Sequence, residues 1–257
     1  MTSSTTMAGP AGLAAEYRRL VELNRSRDRF LHTVSHELRT PLTSILSCAE
    51  LLSDQRTGAL NPDQRELVEI VERGAGRLLR LVEDLLELAG LESGRLTPAL
   101  ELLDLPDVVA AAAQARQEAL AAAGLGFTLD VESGPPVRAD AARIVRLLDG
   151  LLRNAEQHTP PPGTIAVAAR ARADCWQVTV TDTGAGIPAA DQRTVFDAFT
   201  RAGQVPDGQP GSGLGLAIGR TVAELHGGTL TLVSAEGAGT TVTLRLPFAY
   251  KTPGRVA

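Results

Sequence analysis

Lysine is nearly missing from this chain: Lys251, in the C-terminal tail, is the only one. A Walker phosphate loop needs Gly-Lys-Ser/Thr and a eukaryotic-type protein kinase needs a strand lysine, so neither is present. Any nucleotide site must hold its phosphates by backbone amides, arginine or a metal. Aromatics make up 3% of residues, too few for a base-stacking platform. The net charge of -5 argues against non-specific nucleic-acid binding. Of the two cysteines, Cys48 and Cys175 form no Cys-x-x-Cys pair. A reduced, cytoplasmic setting fits, a structural zinc does not, and Cys48 reads as a packed thiol. No run of about eighteen apolar residues occurs, so no membrane contact is expected within the chain. A sensor or membrane anchor upstream is left open. Residues 1–12 are small and polar and read as a disordered leader; residues 249–257 read as a tail.

What is present is helical periodicity. Leu31, Val34, Leu38, Pro41, Ile45, Ala49 and Leu52 recur in steps of three and four, a coiled-coil seam. With Leu31 at position a, His36 falls at f and points away from the seam. A single exposed histidine is commonly a solvated surface residue, but its neighbours here shift the reading. Glu37 can hydrogen-bond one ring nitrogen and leave the other as a nucleophile. Thr40 lies one turn on, and Pro41 removes an amide, so a bend is expected beside the acid. His32 and His36 stand four apart, but no third ligand has useful spacing for zinc.

The first helix is expected over residues 13–52, with a loop from Ser53 to Leu60. Asn61-Pro-Asp-Gln64 then reads as a capped helix start. The second helix carries Leu67, Val71, Gly74, Leu78, Leu81, Leu85 and Leu88 at seam spacing and ends near Gly90–Gly94. Two such helices bury little alone, so residues 13–94 are expected to form a hairpin that dimerises into a four-helix bundle.

Residues 99–248 change pattern. Strands are expected at 99–105, 127–131, 164–172, 175–182, 228–234 and 240–247. Helices are expected at 106–123, 189–196 and 214–225, with a further one capped by Asp140 and running to His158. The fold class is therefore α+β: a helical hairpin, then an α/β sandwich. Three clusters suggest a nucleotide pocket. Asn154 offers an amide oxygen suited to magnesium, although an asparagine near a helix end is more often a cap. Asp182-Thr-Gly184-Ala-Gly186 follows a strand; its carboxylate can accept from an exocyclic amine, or the segment is an ordinary turn. Gly211-Ser-Gly213-Leu214-Gly215 opens a helix whose free amides suit phosphate. It does not follow a strand, so a dinucleotide-binding reading is poor. The loop 200–210 has the composition of a mobile lid.

These motifs together resemble sensor histidine kinases of bacterial two-component systems, over nearly all of residues 18–247. Phe30–Leu42 resembles the H-box, Leu151–Thr159 the N-box, Asp182–Pro188 the first glycine box, Phe196–Phe199 the F-box and Gly211–Leu216 the second glycine box. The ordered set is far more specific than any one motif. The resemblance implies a dimerisation and phosphotransfer hairpin followed by a Bergerat-type ATP-binding domain. It makes His36 the phospho-acceptor, Glu37 its assisting base and Thr40 part of a phosphatase signature. Asp182 and Thr240 would bind adenine, and Asn154 would coordinate Mg2+. His158, Gly184, Gly186, Arg201, Gly211, Gly213, Leu214 and Gly215 would shape the ATP pocket and lid. The implied partners are a second copy of the chain and a response-regulator receiver domain whose aspartate takes the phosphoryl group. Two positions depart from the family pattern: Gly150 stands where an earlier asparagine is common, and Gln157 where a lysine often lies near phosphate. Arg153 or Arg201 is the candidate replacement charge. Competing readings are a Bergerat ATPase without a phosphohistidine step and a nucleotide-binding scaffold without turnover.

Overall fold

A computed structural model describes residues 33–35, 37–54, 58–94, 96–200 and 212–250. The expectations for the leader, for the helix before residue 33, and for His32, His36, Arg201, Gly211 and most of the lid lie outside these residues. The chain divides into two compact units, Met1–Arg95 and Leu96–Ala257.

In the first unit, α1 is helical over residues 37–53, and residues 33–35 are helical too. Pro41 does not interrupt α1, which is helical on both sides of it; the Ser44 hydroxyl donates to the Thr40 carbonyl at 3.1 Å. The second helix, α2 (Pro62–Glu92), begins on the expected capping box. Asn61 accepts from the Gln64 N–H and the Gln64 side chain accepts from the Asn61 N–H. Its C-terminus turns at Gly94, where φ is +67°. Ser53 donates to Glu72 at 2.9 Å, tying the two helices near the loop.

The expected seams are only partly buried. Leu42 and Ala49 of α1 are buried, and so are Ala75, Val82 and Ala89 of α2 at spacings of seven. Much of the expected seam is open: Leu67 of α2 is 63% exposed, Leu78 53% and Ile45 of α1 43%, whereas Leu88 is buried. Cys48 is exposed, not packed as its neighbour Ala49 is, because it falls on this open side. An apolar groove of about 380 Å³ runs between the two helices there, lined by Ile45, Cys48, Leu52, Leu67 and Val71 among others.

The second unit is a five-stranded mixed sheet backed by three helices. Its elements are β1 (Glu101–Leu103), α3 (Leu105–Ala122), β2 (Gly126–Val131), β3 (Val137–Ala139), α4 (Ala141–His158), β4 (Thr164–Ala171), β5 (Cys175–Asp182), α5 (Gly215–Leu225), β6 (Thr229–Ala235) and β7 (Gly239–Pro247). The sheet order is β2-β4-β5-β7-β6, with β2 parallel to β4 and the other pairs antiparallel. β1 and β3 pair separately. β3 was not expected, since three residues after two prolines give no readable alternation. The helix expected over 189–196 does not form. The chain there runs through successive turns, and the Gln192 side chain bonds outward to the carbonyls of Ile187 and Ser234.

Alternation along the strands puts every second residue against the helices. Two rows across the sheet are apolar: Val131–Ala169–Val178–Leu244–Leu230 and Leu129–Val167–Val180–Val242–Leu232. The next row on that face is Phe127–Ile165–Asp182–Thr240–Ser234. The apolar layer therefore ends in three adjacent polar residues, and the nucleotide motifs gather there. Trp176 anchors the far end of the same face, wholly buried, its indole N–H donating to the Pro135 carbonyl at 2.7 Å.

Candidate functional site

Asp182 ends β5 and is 9% exposed. Its Oδ1 accepts from the Gly184 N–H at 2.9 Å and from the Thr240 N–H at 3.2 Å. Oδ2 has no hydrogen-bond partner among the described residues. Burial pushes the carboxyl above its ordinary range, and the two amides and the His158 charge offset this only in part. A half-desolvated carboxylate with one oxygen fixed and the other open is built to accept a bond from outside the protein.

The turn after Asp182 is pressed against α4. Ala185 donates to the His158 carbonyl at 3.2 Å, and a Cβ at Gly184 would stand 2.2 Å from that oxygen. Only glycine lets these segments meet. Gly186 has φ +68° and abuts the Ala235 carbonyl, so the same turn also closes on the end of β6.

On the other side lies the start of α5. Ile218 donates to the Leu214 carbonyl in the first helical bond, so the N–H groups of Gly215, Leu216 and Ala217 have no acceptor within the helix. A helix end of this kind is suited to phosphate through its free amides and dipole. A Cβ on Gly215 would lie 3.7 Å from the Asn154 amide nitrogen. Two segments some sixty residues apart in sequence thus converge, and Asn154, one turn before the end of α4, sits beside the N-terminus of α5. Leu214 is wholly buried, so its side chain belongs to the core and not to a ligand surface. Its N–H bonds the Ser212 hydroxyl at 3.2 Å. Gly213, at φ +68°, packs against Phe199 and Thr200, and Phe199 donates to its carbonyl at 3.0 Å. The two ends of the loop 200–212 therefore meet.

Arg153 is held by Asp149, and Arg116 of α3 pairs with both Asp149 and Glu156. This network occupies Arg153 in structural pairing. Gly150 has nothing within 4 Å of a Cβ position, so no packing contact requires glycine there. Ser234 and Gln192 were missed from sequence. Ser234 accepts from the Ile187 N–H at 2.8 Å and lies 2.9 Å from the Thr240 hydroxyl; the signal for it was the strand alternation that puts it in register with Thr240.

In the first unit Glu37 and Thr40 are both exposed, three residues apart on α1. No group of three His, Cys, Asp or Glu suited to a metal occurs among the described residues. No helix among them is long and apolar enough to cross a membrane.

Two family models match the chain. The "His Kinase A (phospho-acceptor) domain" covers residues 26–94. The "Histidine kinase-, DNA gyrase B-, and HSP90-like ATPase" covers residues 139–250. The chain belongs to the sensor histidine kinases. The kinase is 36% identical over 92% of its length to the Caulobacter vibrioides sensor protein DivL, and 33% identical over 88% to the histidine protein kinase DivJ of the same organism. It spans 30% and 38% of those proteins. Among solved structures it is similar to full-length ShkA in complex with AMPPNP, with TM-score 0.70 and 29% identity over 89% of this chain and 48% of that one. It is also similar to the Acinetobacter baumannii histidine kinase AdeS, with TM-score 0.59 and 25% identity over 84% of this chain and 98% of that one.

Proposed function

We propose that the kinase autophosphorylates His36 from ATP and passes the phosphoryl group to an aspartate of a response-regulator receiver domain. The observation that carries the ATP half is the open Oδ2 of Asp182, held in place by two amides on its other oxygen. It is suited to accept from the adenine amine, with Thr240 beside it. Asn154 lies against the N-terminus of α5 and would hold magnesium, an ion that keeps waters and phosphate oxygens and needs few protein ligands. When bound, magnesium neutralises developing phosphate charge. The complex of full-length ShkA with AMPPNP supports a nucleotide ligand.

In the reaction one ring nitrogen of His36 attacks the γ-phosphorus. A P–N bond forms, the bond to the β,γ-bridging oxygen breaks, and ADP leaves. Glu37 takes or shares the proton on the other nitrogen. The amides at the start of α5 hold the triphosphate. Thr40 positions water when phosphate is removed from the regulator. ATP as donor places this part of the protein in the cytoplasm.

We also infer that two copies form the four-helix bundle. The exposed Ile45, Leu67, Val71 and Leu78 and the groove between the helices support this, because one hairpin leaves them in water.

Incubation with γ-labelled ATP and magnesium tests the reading. An acid-labile, base-stable label on the wild type, lost in His36→Gln, is the expected result. Release of free phosphate without protein label would instead favour a plain ATPase.

A further inference from the structure

The polar row that ends the apolar layer has a third member beyond the two residues assigned to adenine. We propose that Ser234 is a positioning residue that sets the hydrogen-bond polarity of Thr240 and thereby selects a 6-amino over a 6-oxo purine. This rests on the reading of Asp182 and Thr240 as the base-binding pair.

The assignment follows from counting protons. A serine hydroxyl has one donor and two acceptor sites. The Ile187 N–H can only donate, and it points to the Ser234 Oγ at 2.8 Å. The Gly239 carbonyl can only accept, and it lies 2.9 Å from the same atom. The single Ser234 proton therefore goes to Gly239. The remaining acceptor site faces the Thr240 hydroxyl at 2.9 Å, so Thr240 must donate to Ser234. This is the arrangement in which all three contacts are satisfied at once.

The Thr240 oxygen then has only lone pairs left to offer. Asp182 Oδ2, on the neighbouring strand in direct register, is also an acceptor. An exocyclic amine brings two N–H donors and suits two converging acceptors. A 6-oxo purine brings a carbonyl and would face them lone pair to lone pair. Gln192 steadies the arrangement, donating to the Ser234 and Ile187 carbonyls at 2.8 Å each.

Removing the Ser234 hydroxyl frees the Thr240 proton to turn toward the ligand, which costs the amine and spares the carbonyl. The test is nucleotide affinity of the full chain for ATP and for ITP, by displacement of a fluorescent nucleotide, with thermal melting alongside. In Ser234→Ala, ATP affinity should fall about tenfold while ITP affinity stays within about twofold. Ser234→Thr, which keeps the hydroxyl on a strand, should restore the preference. Equal loss for both nucleotides, or no change in either, would overturn the proposal. If Ser234→Ala does not fold, Thr240→Val removes the hydroxyl that Ser234 orients and keeps the backbone bond to Asp182. It too should lower ATP affinity selectively, and a parallel loss refutes the idea. Failure of the underlying reading looks different: wild type would bind ATP and ITP alike, or Asp182→Asn would bind ATP as wild type does.

Discussion

The two units solve the burial problem in opposite ways. The sheet unit completes its core within one chain. Trp176, Ile144, Leu148, Leu152, Ile165 and Leu244 are all essentially inaccessible to water. The hairpin closes only one stripe of each helix and leaves the neighbouring stripe open. A sheet backed by helices is self-sufficient, whereas two helices have too little facing surface to cover their apolar positions. The unit proposed to carry the acceptor histidine thus waits for a partner, and the unit proposed to carry ATP does not.

The same contrast recurs between two aspartates of the sheet unit. Asp140 caps α4 through the Arg143 N–H and accepts from the Ala99 N–H, while its own N–H donates to Nε2 of the buried His226. Burial would raise its carboxyl, but the two amides and the Arg143 charge outweigh that and hold it below the usual range. Asp182 is shifted the other way, upward, by burial. One carboxylate uses both oxygens on the fold; the other uses only one.

The largest expected effect breaks the second contrast. Asp182→Asn replaces an acceptor by a donor at Oδ2 and should weaken ATP binding about 100-fold or more, measured by nucleotide displacement. The same substitution should leave the nucleotide-free protein as stable as wild type or more so at neutral pH, because Asn retains an oxygen for the two amides. The raised carboxyl prefers its proton in the folded state. Wild-type stability should therefore fall as pH rises from the ordinary aspartate range through the raised one, and this slope should vanish in Asp182→Asn. For Asp140 the sign reverses: its stabilisation is present above the ordinary range and is lost as pH falls through the lowered value. Thermal melts across acidic pH of Asp140→Asn and Asp182→Asn would read both.

The first contrast is broken by one substitution in each unit. Leu148→Ala, in the closed core, should cost about 2–5 kcal/mol and destabilise the sheet unit whatever the protein concentration. Val71→Glu, on the open stripe, should leave the sheet unit's melting unchanged and turn the dimer into monomers, read by sedimentation. A dimer that survives Val71→Glu together with Ile45→Glu would show that the bundle uses another face. Thr40→Ala should spare autophosphorylation and slow loss of phosphate from the regulator several-fold; equal loss of both activities contradicts the role given to Thr40. The smallest effect is expected from Asn61→Ala, which removes one cap of α2 and should cost about 1 kcal/mol in a denaturant melt.

Local signals were legible in the sequence. The Asn61 box, the Asp140 cap and its helix ending at His158, and the β-branched alternation of β4, β5 and β7 each depend on residues a few positions apart. What failed involved distant groups. The turns at 189–196 replace a helix because Gln192 finds carbonyls in β6 and the preceding turn. At Ala75 and Val82 the buried stripe of α2 is offset by one residue from the expected seam, which it meets only at Leu88, since which side faces its partner helix depends on how both are rotated. The neighbourhood of Asn154 and Gly215 was readable only as a resemblance, not from spacing.

By itself the sequence determined most of the helices and strands and where α2 and α4 are capped, because those properties are set by near neighbours along the chain. Only the tertiary structure decided that Asp182, Thr240 and Ser234 form one polar row across three strands. It also decided that Leu214 is core while Gly215 touches the Asn154 environment. Strand register and helix rotation join residues tens of positions apart, and no local preference encodes that pairing.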